Sequence, residues 1–380
     1  MEKDIKSVGI VLFTNLGVGA GTEVVAEKLS AEFVRLGYFE EVSIIQTNFM
    51  GFSDTNDRIG FQKRDGVNFK IVKSPLEIAL FRKLMRSKPL QVAFGDILYT
   101  LLYAILNLRK IRQVSKNTDF LIFMNATDAW SWFLFGAKTT NYVITGERGF
   151  PDKRILLNAL NKHADGVHFL TKKQMDSYNL LTHNAFTIPN GVNSHVFVPK
   201  SSNDLKRKTR FIFASRLEKN KGIGELIQSI KSLVGQKFFE FYIAGAGSYE
   251  KELENGSEEG VQFVGHMNQG ELAKLFQTGD VFVFPSYGET FGNVVIEAVS
   301  SGLFVLASDS LRGNFDDLES IGALKYVDIN PENLAKEISA LIGFRLDLKK
   351  KEFFHEYVTR HYDWAVIAEK WYKNITKLRH

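Results

Sequence analysis

Residues 281–300 read VFVFPSYGETFGNVVIEAVS. The opening run, closed by Pro285, is apolar without polar alternation, which marks a strand buried on both faces. Gly288 and Gly292 punctuate a short loop. From Val294 to Ser300 the apolar residues return with helical spacing, interrupted by a single acid, Glu297. Strand, glycine loop and helix in so few residues is the unit of a parallel α/β sheet.

The same unit recurs on both sides. In the second half, strands are expected at 211–215, 239–244, 261–264, 281–285 and 304–308, with helices at 224–232, 271–276 and 294–300. In the first half, strands are expected at 8–14, 42–47, 120–124, 142–145 and 166–170. Helices there are expected at 22–36, 128–135, 153–163 and 172–178. A polar stretch, 200–208, separates the halves. At 380 residues the chain exceeds the roughly 250–300 that one core supports. The expectation is therefore an α/β protein of two Rossmann-like doubly wound domains, 1–198 and 199–361, facing a central cleft. The tail, 362–380, reads as one helix with Trp364, Ile367 and Trp371 on one face, docked on another part of the protein. No tandem repeat is present. In such sheets ligands bind outside the carboxyl ends of the strands, so the loops that leave each strand carry the functional reading.

Composition narrows the classes. Hydrophobic residues at 44% and charged residues at 24% are ordinary for a folded soluble protein and exclude disorder and collagen. The chain has no cysteine, which removes disulfides, thiolate nucleophiles and cysteine-held metals. A net charge of +5 is too mild to imply nucleic acid. No signal peptide or membrane-spanning run is read, so a cytoplasmic location is expected. The 32 phenylalanines are read as core filling.

Three loops contain chemistry. The first strand runs into Asn15-Leu16-Gly17-Val18-Gly19-Ala20-Gly21, where alternating glycines at a helix start admit an anion or simply make a tight turn. The spacing is neither G-x-G-x-x-G nor a Walker loop. After 211–215 come Arg216 and Lys221, two cations beside a helix start, suited to a diphosphate or to solvent. After 281–285 come Glu289 in the loop and Glu297 among Val, Ile and Ala. A carboxyl in apolar surroundings is costly without a partner, and a hydroxyl-rich ligand would supply one.

Glu289 and Glu297 resemble the E-x7-E signature of retaining glycosyltransferase family 4, the bacterial-type sugar-nucleotide enzymes of GT-B fold. Ser215-Arg216-Leu217 through Lys221-Gly222 resembles that family's diphosphate loop. Ile188-Pro189-Asn190-Gly191-Val192 resembles its interdomain motif, and Tyr362-Asp363-Trp364 its helix crossing back to the N-terminal domain. The resemblance implies that Arg216 and Lys221 stabilise the leaving diphosphate, that Glu297 holds the ribose and that Glu289 contacts the transferred sugar. It places Gly288, Thr290, Phe291, Gly292 and Asn293 along the donor pocket, Gly265 and His266 at the base, and Gly19 and Gly21 near the diphosphate. On the acceptor side the pattern departs. Where relatives carry histidine, this chain has Gly146-Glu147-Arg148-Gly149 and Asn125. Glu147 takes the catalytic place or forms an ion pair with Arg148. Asn125 and Asp128 contact the acceptor or cap a helix, and Asn15 joins the acceptor side.

Between 82 and 116 lie eight lysines and arginines against the single acid Asp96, bracketing the apolar stretch 97–108. This is either an ordinary core helix with solvated flanks or a surface for an anionic membrane. The implied activity is metal-independent, retaining transfer of a hexose-type sugar, with no cofactor, from a nucleotide-sugar, expected to be a UDP-sugar. The acceptor is a glycan or a lipid-linked molecule, in cell-surface polysaccharide or glycoconjugate synthesis. The protein would then sit at the inner face of the plasma membrane. A sugar-nucleotide epimerase of the same fold and a non-catalytic partner subunit are the alternatives.

Overall fold

The computed structural model describes residues 5–12, 21–48, 65–73, 105, 107–124, 141–145, 164–178, 184–200, 207–233, 239–255 and 260–378. The chain divides into two compact units, Met1–Pro189 with Ile367–His380, and Asn190–Val366.

The first unit holds β1 (Ser7–Leu12), α1 (Gly21–Arg35), β2 (Glu41–Asn48), β3 (Val67–Lys73), α2 (Leu108–Lys116), β4 (Phe120–Phe123), β5 (Asn141–Thr145), β6 (Gly166–Phe169), α3 (Lys172–Tyr178) and β7 (Ala185–Thr187). The seven strands are parallel in the order β3-β2-β1-β4-β5-β6-β7. Every residue of β1 and β4 is buried, as their unbroken apolar sequences require. In α1 the buried residues Ala26, Leu29, Ser30 and Phe33 follow helical spacing and form its inner stripe.

The second unit holds β8 (Thr209–Ala214), α4 (Ile223–Lys231), β9 (Phe239–Ala244), α5 (Glu250–Asn255), β10 (Val261–Gly265), α6 (Gln269–Phe276), β11 (Val281–Phe284) and α7 (Asn293–Ser300). It continues with β12 (Phe304–Ser308), α8 (Asp316–Ser320), β13 (Leu324–Val327), α9 (Pro331–Ala340) and α10 (Leu348–Tyr362), and α11 (Trp364–Lys377) begins in it. Its sheet runs β10-β9-β8-β11-β12-β13, all parallel. The order turns back between β8 and β11, which makes that junction the switch point where ligands bind in open sheets. Phenylalanine does fill the core: the bulkiest fully buried side chains are all phenylalanines, from Phe33 to Phe284.

Where the chain is described, the expected elements recur with ends shifted by a residue or two, while the expected helices 128–135 and 153–163 lie outside the described residues. Among the described residues, eight elements were not expected: β3, β7, β13, α2, α5, α8, α9 and α10. β3 and β7 lie at the sheet's two margins, β13 is four residues long, and α10 precedes the tail. The tail itself is corrected. Tyr362 ends α10, Asp363 is extended, and a new helix starts at Trp364. Asp363 causes the break. Its carboxylate accepts from the Ala365 N–H at 2.9 Å and from Ser194 Oγ at 2.6 Å, and its backbone bridges Val192. A Cβ on Gly191 would lie 2.4 Å from the Trp364 ring, so only glycine lets the indole pack there. From Ile367 the helix belongs to the first unit, where Trp371 packs on His168 at 4.5 Å and Tyr372 stacks on Tyr38 at 4.5 Å. Burial pulls the His168 imidazole down to about 4, so the ring is neutral and donates from Nε2 to the Ile188 carbonyl at 2.7 Å.

Candidate functional site at the carboxyl edge of the second sheet

The loops leaving β8, β9, β10, β11 and β12 are laced to one another by their backbones. Gly245 N–H donates to the Gly265 carbonyl at 2.8 Å, joining the β9 and β10 ends. Leu217 N–H donates to Ala246 O at 2.9 Å, joining β8 to β9. Tyr287 N–H donates to Asn220 O at 3.1 Å, joining β8 to β11 across the switch point. Gly222, at φ +70°, is what permits that last approach. A Cβ there would stand 1.9 Å from the Pro285 carbonyl oxygen.

At this junction the structure brings two sequence candidates together. Lys221 sits in a single 3-10 turn, 219–221, and its ammonium pairs with Oε1 of Glu289. The side chains are only 7% and 12% exposed, so the pair is shielded from solvent. Ser286 Oγ, fully buried, lies 3.2 Å from the same oxygen. Arg216 does not join this pair: it meets Glu218 at 3.0 Å and is more than half exposed.

The β11–α7 loop is braced from behind by the loop after β12. Ser310 Oγ donates to the Ser286 carbonyl at 2.8 Å, and Asn314 Nδ2 to the Phe291 carbonyl at 3.1 Å. The Phe291 ring is buried against Phe315, with centroids 5.1 Å apart. Gly288 is exposed, Thr290 half-buried, and Gly292 adopts φ +100° to cap α7. Asn293 opens that helix and accepts from Asn190 Nδ2 at 3.0 Å.

Glu297 lies on α7 between buried Ile296 and Ala298. Among the described residues nothing hydrogen-bonds its carboxyl, and burial pushes it up to about 7. Gly265, at φ +74°, ends β10, and His266 beyond it is exposed.

Asn15, Gly19, Asn125, Asp128, Glu147 and Arg148 lie outside the described residues, as does most of 82–116. Gly21 opens α1. Two turns of sequence reasoning missed what surrounds these positions. Ser286 and Asn314 carry no motif and are found only through the fold. Glu23, in the first turn of α1, is 4% exposed and neither of its oxygens has a hydrogen-bond partner among the described residues.

With that geometry in place, comparison with known proteins is informative. Residues 208–343 match the family model described as Glycosyl transferases group 1. A curated relative, the phosphatidylinositol N-acetylglucosaminyltransferase gpi3 subunit of Schizosaccharomyces pombe, is 31% identical over 190 residues, 48% of this chain and 41% of its own length. The chain thus spans less than half of that relative. Among solved structures, the sucrose-phosphate synthase of Thermosynechococcus elongatus superposes with a TM-score of 0.73 at 16% identity, covering 98% of this chain and 99% of the other. HepE of Anabaena, solved with UDP and glucose, superposes at 0.69 and 16% identity, covering 98% and 99%.

Proposed function

We propose, from the premise that this is a GT-B chain carrying a group 1 glycosyltransferase domain at 208–343, that it transfers a hexose-type sugar from a nucleotide-sugar to a glycan or lipid-linked acceptor. The observation that carries the reading is the shielded Lys221–Glu289 pair at the switch point between β8 and β11. An ammonium has three donors. Lys221 can therefore keep Glu289 and still reach a phosphate oxygen.

In this reading the bond between the anomeric carbon and the diphosphate breaks and leaves charge on the phosphate. Lys221, Arg216 and the N–H groups opening α7 meet that charge, with no metal or cofactor. Glu297 accepts from the ribose hydroxyls, and Glu289 from the sugar. Gly265 and His266 flank the base. The configuration is retained, and UDP is the nucleotide. HepE, bound to UDP and glucose, supports that choice. The gpi3 relative, which by its name acts on phosphatidylinositol, supports a lipid-linked acceptor.

No helix among the described residues is long and apolar enough to cross a membrane. In α2, Arg109, Lys110, Arg112 and Lys116 are exposed, while Ile111 and Ser115 are buried. We assign this basic face a peripheral contact with an anionic membrane. Glu147, Arg148, Asn125 and Asn15 belong on the acceptor side.

Thermal unfolding against UDP, GDP and ADP and their sugar conjugates tests the donor. A ligand at 100 times its Kd stabilises by about 2.7 kcal/mol. One nucleotide and its conjugates should raise Tm and the others should not; no shift with any would overturn the proposal. Labelled donor without acceptor then separates a transferase, which leaves the sugar's stereochemistry intact, from an epimerase.

A further inference from the structure

The Glu289 carboxylate is held by one oxygen. Oε1 accepts from Lys221 and lies within reach of Ser286 Oγ at 3.2 Å, whereas no described residue donates to Oε2. Ser286 Oγ is also 3.3 Å from the carbonyls of Asn220 and Gly288. A hydroxyl has one proton to give. The charged oxygen is the stronger of the three acceptors, so the proton goes to Glu289.

Ser286 has no room to do otherwise. It is fully buried, its carbonyl accepts from Ser310 Oγ at 2.8 Å, and Ser310 Oγ in turn lies 3.0 Å from Ser308 Oγ. On the far side of Glu289, Asn314 holds the Phe291 carbonyl. The backbone on both sides of the acid is therefore fixed and the pair with Lys221 holds the carboxyl group in place, which leaves rotation of the carboxylate about its last bond, intrinsically broad, to decide which oxygen faces which donor. Lys221 alone does not stop that rotation, because an ammonium pairs equally well with either oxygen.

We propose that Ser286 is a positioning residue for the donor sugar: its hydroxyl, with Lys221, occupies Oε1 of Glu289 and leaves Oε2 as the oxygen presented to a sugar hydroxyl. The inference rests on the donor reading above and deepens it. It makes a distinct claim, since the effect of Ser286 must depend on both the sugar and Glu289.

The test is a double-mutant cycle in binding. Dissociation constants are measured for UDP and UDP-glucose, UDP and UDP-N-acetylglucosamine, and GDP and GDP-mannose, in the wild type, Ser286→Ala, Glu289→Gln and the double variant. The quantity read is the ratio of conjugate to bare nucleotide, with thermal unfolding of each variant establishing that it is folded. Ser286→Ala should weaken the bound conjugate roughly tenfold while moving the bare nucleotide less than about twofold, the scale of one hydrogen bond to a charged group. In the Glu289→Gln background the same change should move the ratio less than about twofold. Ser286→Thr, which restores the hydroxyl, should recover the ratio wherever it folds. Equal weakening of both ligands would reduce Ser286 to loop packing and overturn the proposal. So would an undiminished effect in the Glu289→Gln background, or no effect at all. Should the wild type bind none of the three conjugates, the donor reading itself falls, and this inference with it.

Discussion

The two edges of the second sheet both bury charge, and they treat it differently. At the amino edge, Asp280 precedes β11 with its side chain wholly buried. Both its oxygens are used. Arg207 reaches Oδ1 and Oδ2 at 2.7 Å each, the Arg210 N–H reaches Oδ2 at 2.9 Å, and Arg345 lies 3.3 Å from Oδ2. At the carboxyl edge, Glu289 has both protein donors on one oxygen, and Glu297 has none among the described residues. A buried polar network satisfied by the protein fixes structure, while one left half satisfied is costly unless something else completes it. Within one sheet the first edge is closed on itself, and among the described residues the second leaves acceptor oxygens without a donor.

The largest expected effect tests the closed edge. Asp280→Ala removes the buried carboxylate that Arg207 and Arg345 both meet, and losing one partner of a buried pair costs about 3–5 kcal/mol. Urea unfolding should show the midpoint falling at unchanged slope. Folded Asp280→Ala should keep its nucleotide affinity, because the loops proposed to hold the donor leave the opposite ends of the strands. A loss below about 1 kcal/mol would erase the contrast between the edges.

Next come the cations of the open edge. Lys221→Ala and Arg216→Ala should each lower turnover by about 10²–10³, the scale of removing one group that meets transition-state charge. Their stabilities should diverge. Arg216 is exposed in a surface pair worth about 0–1 kcal/mol, so its loss should leave stability nearly unchanged. Lys221→Ala strands Glu289 and should also destabilise. Chelation with EDTA should leave wild-type turnover nearly unchanged; strict magnesium dependence would contradict the assignment.

The contrast also explains what was legible in the sequence. The open edge is built from consecutive residues, so strand, glycine loop, Glu289 and Glu297 could be read in order, and Lys221 followed its own strand in the same way. The closed edge joins Arg207, Asp280 and Arg345, far apart in sequence, and no local pattern announces it. Asn314 escaped for the same reason, since it meets the Phe291 carbonyl only because β11 and β12 lie side by side, whereas Ser286, three residues from Glu289, is a lone hydroxyl that belongs to no motif. β3 escaped because the alternation in VNFKIVK, proper to a sheet margin, dilutes the apolar run that identified the inner strands. At Asp363 a single side chain separates α10 from α11, so the tail helix that Trp364, Ile367 and Trp371 mark starts at Trp364 and not at Tyr362.

Removing the unpartnered acid has a smaller and double-edged effect. Glu297→Ala should weaken nucleotide binding by about 1.5–3 kcal/mol, roughly 10- to 150-fold, if the carboxylate holds the ribose. The free protein should not suffer in proportion, because no described residue loses a hydrogen bond to that carboxyl. Equilibrium binding of UDP and urea unfolding of the ligand-free variant measure the two sides. Unchanged affinity would remove Glu297 from the site.

The last effect comes from pH, and its reading in nucleotide affinity is the smallest of the set. Burial raises the Glu297 carboxyl to about 7 in the folded chain, against an ordinary value of 4.5. Between those values the folded state holds a proton that the unfolded state has released. Stability from this group is therefore greatest below about pH 4.5 and falls as pH rises to about 7, with a slope no steeper than about 1.4 kcal/mol per unit. Glu297→Gln cannot titrate, so its stability relative to wild type should climb through that window and level off above it. Ribose hydroxyls donating to the carboxylate favour its charged form, which reverses the sign for binding. Nucleotide affinity of the wild type should rise a few-fold between about pH 6 and 8, while that of Glu297→Gln stays flat. Opposite slopes of stability and affinity from one residue are what an unsatisfied acid awaiting a ligand requires. A wild type whose stability and affinity both track Glu297→Gln across this range would place Glu297 with Asp280, among the charges the fold keeps for itself.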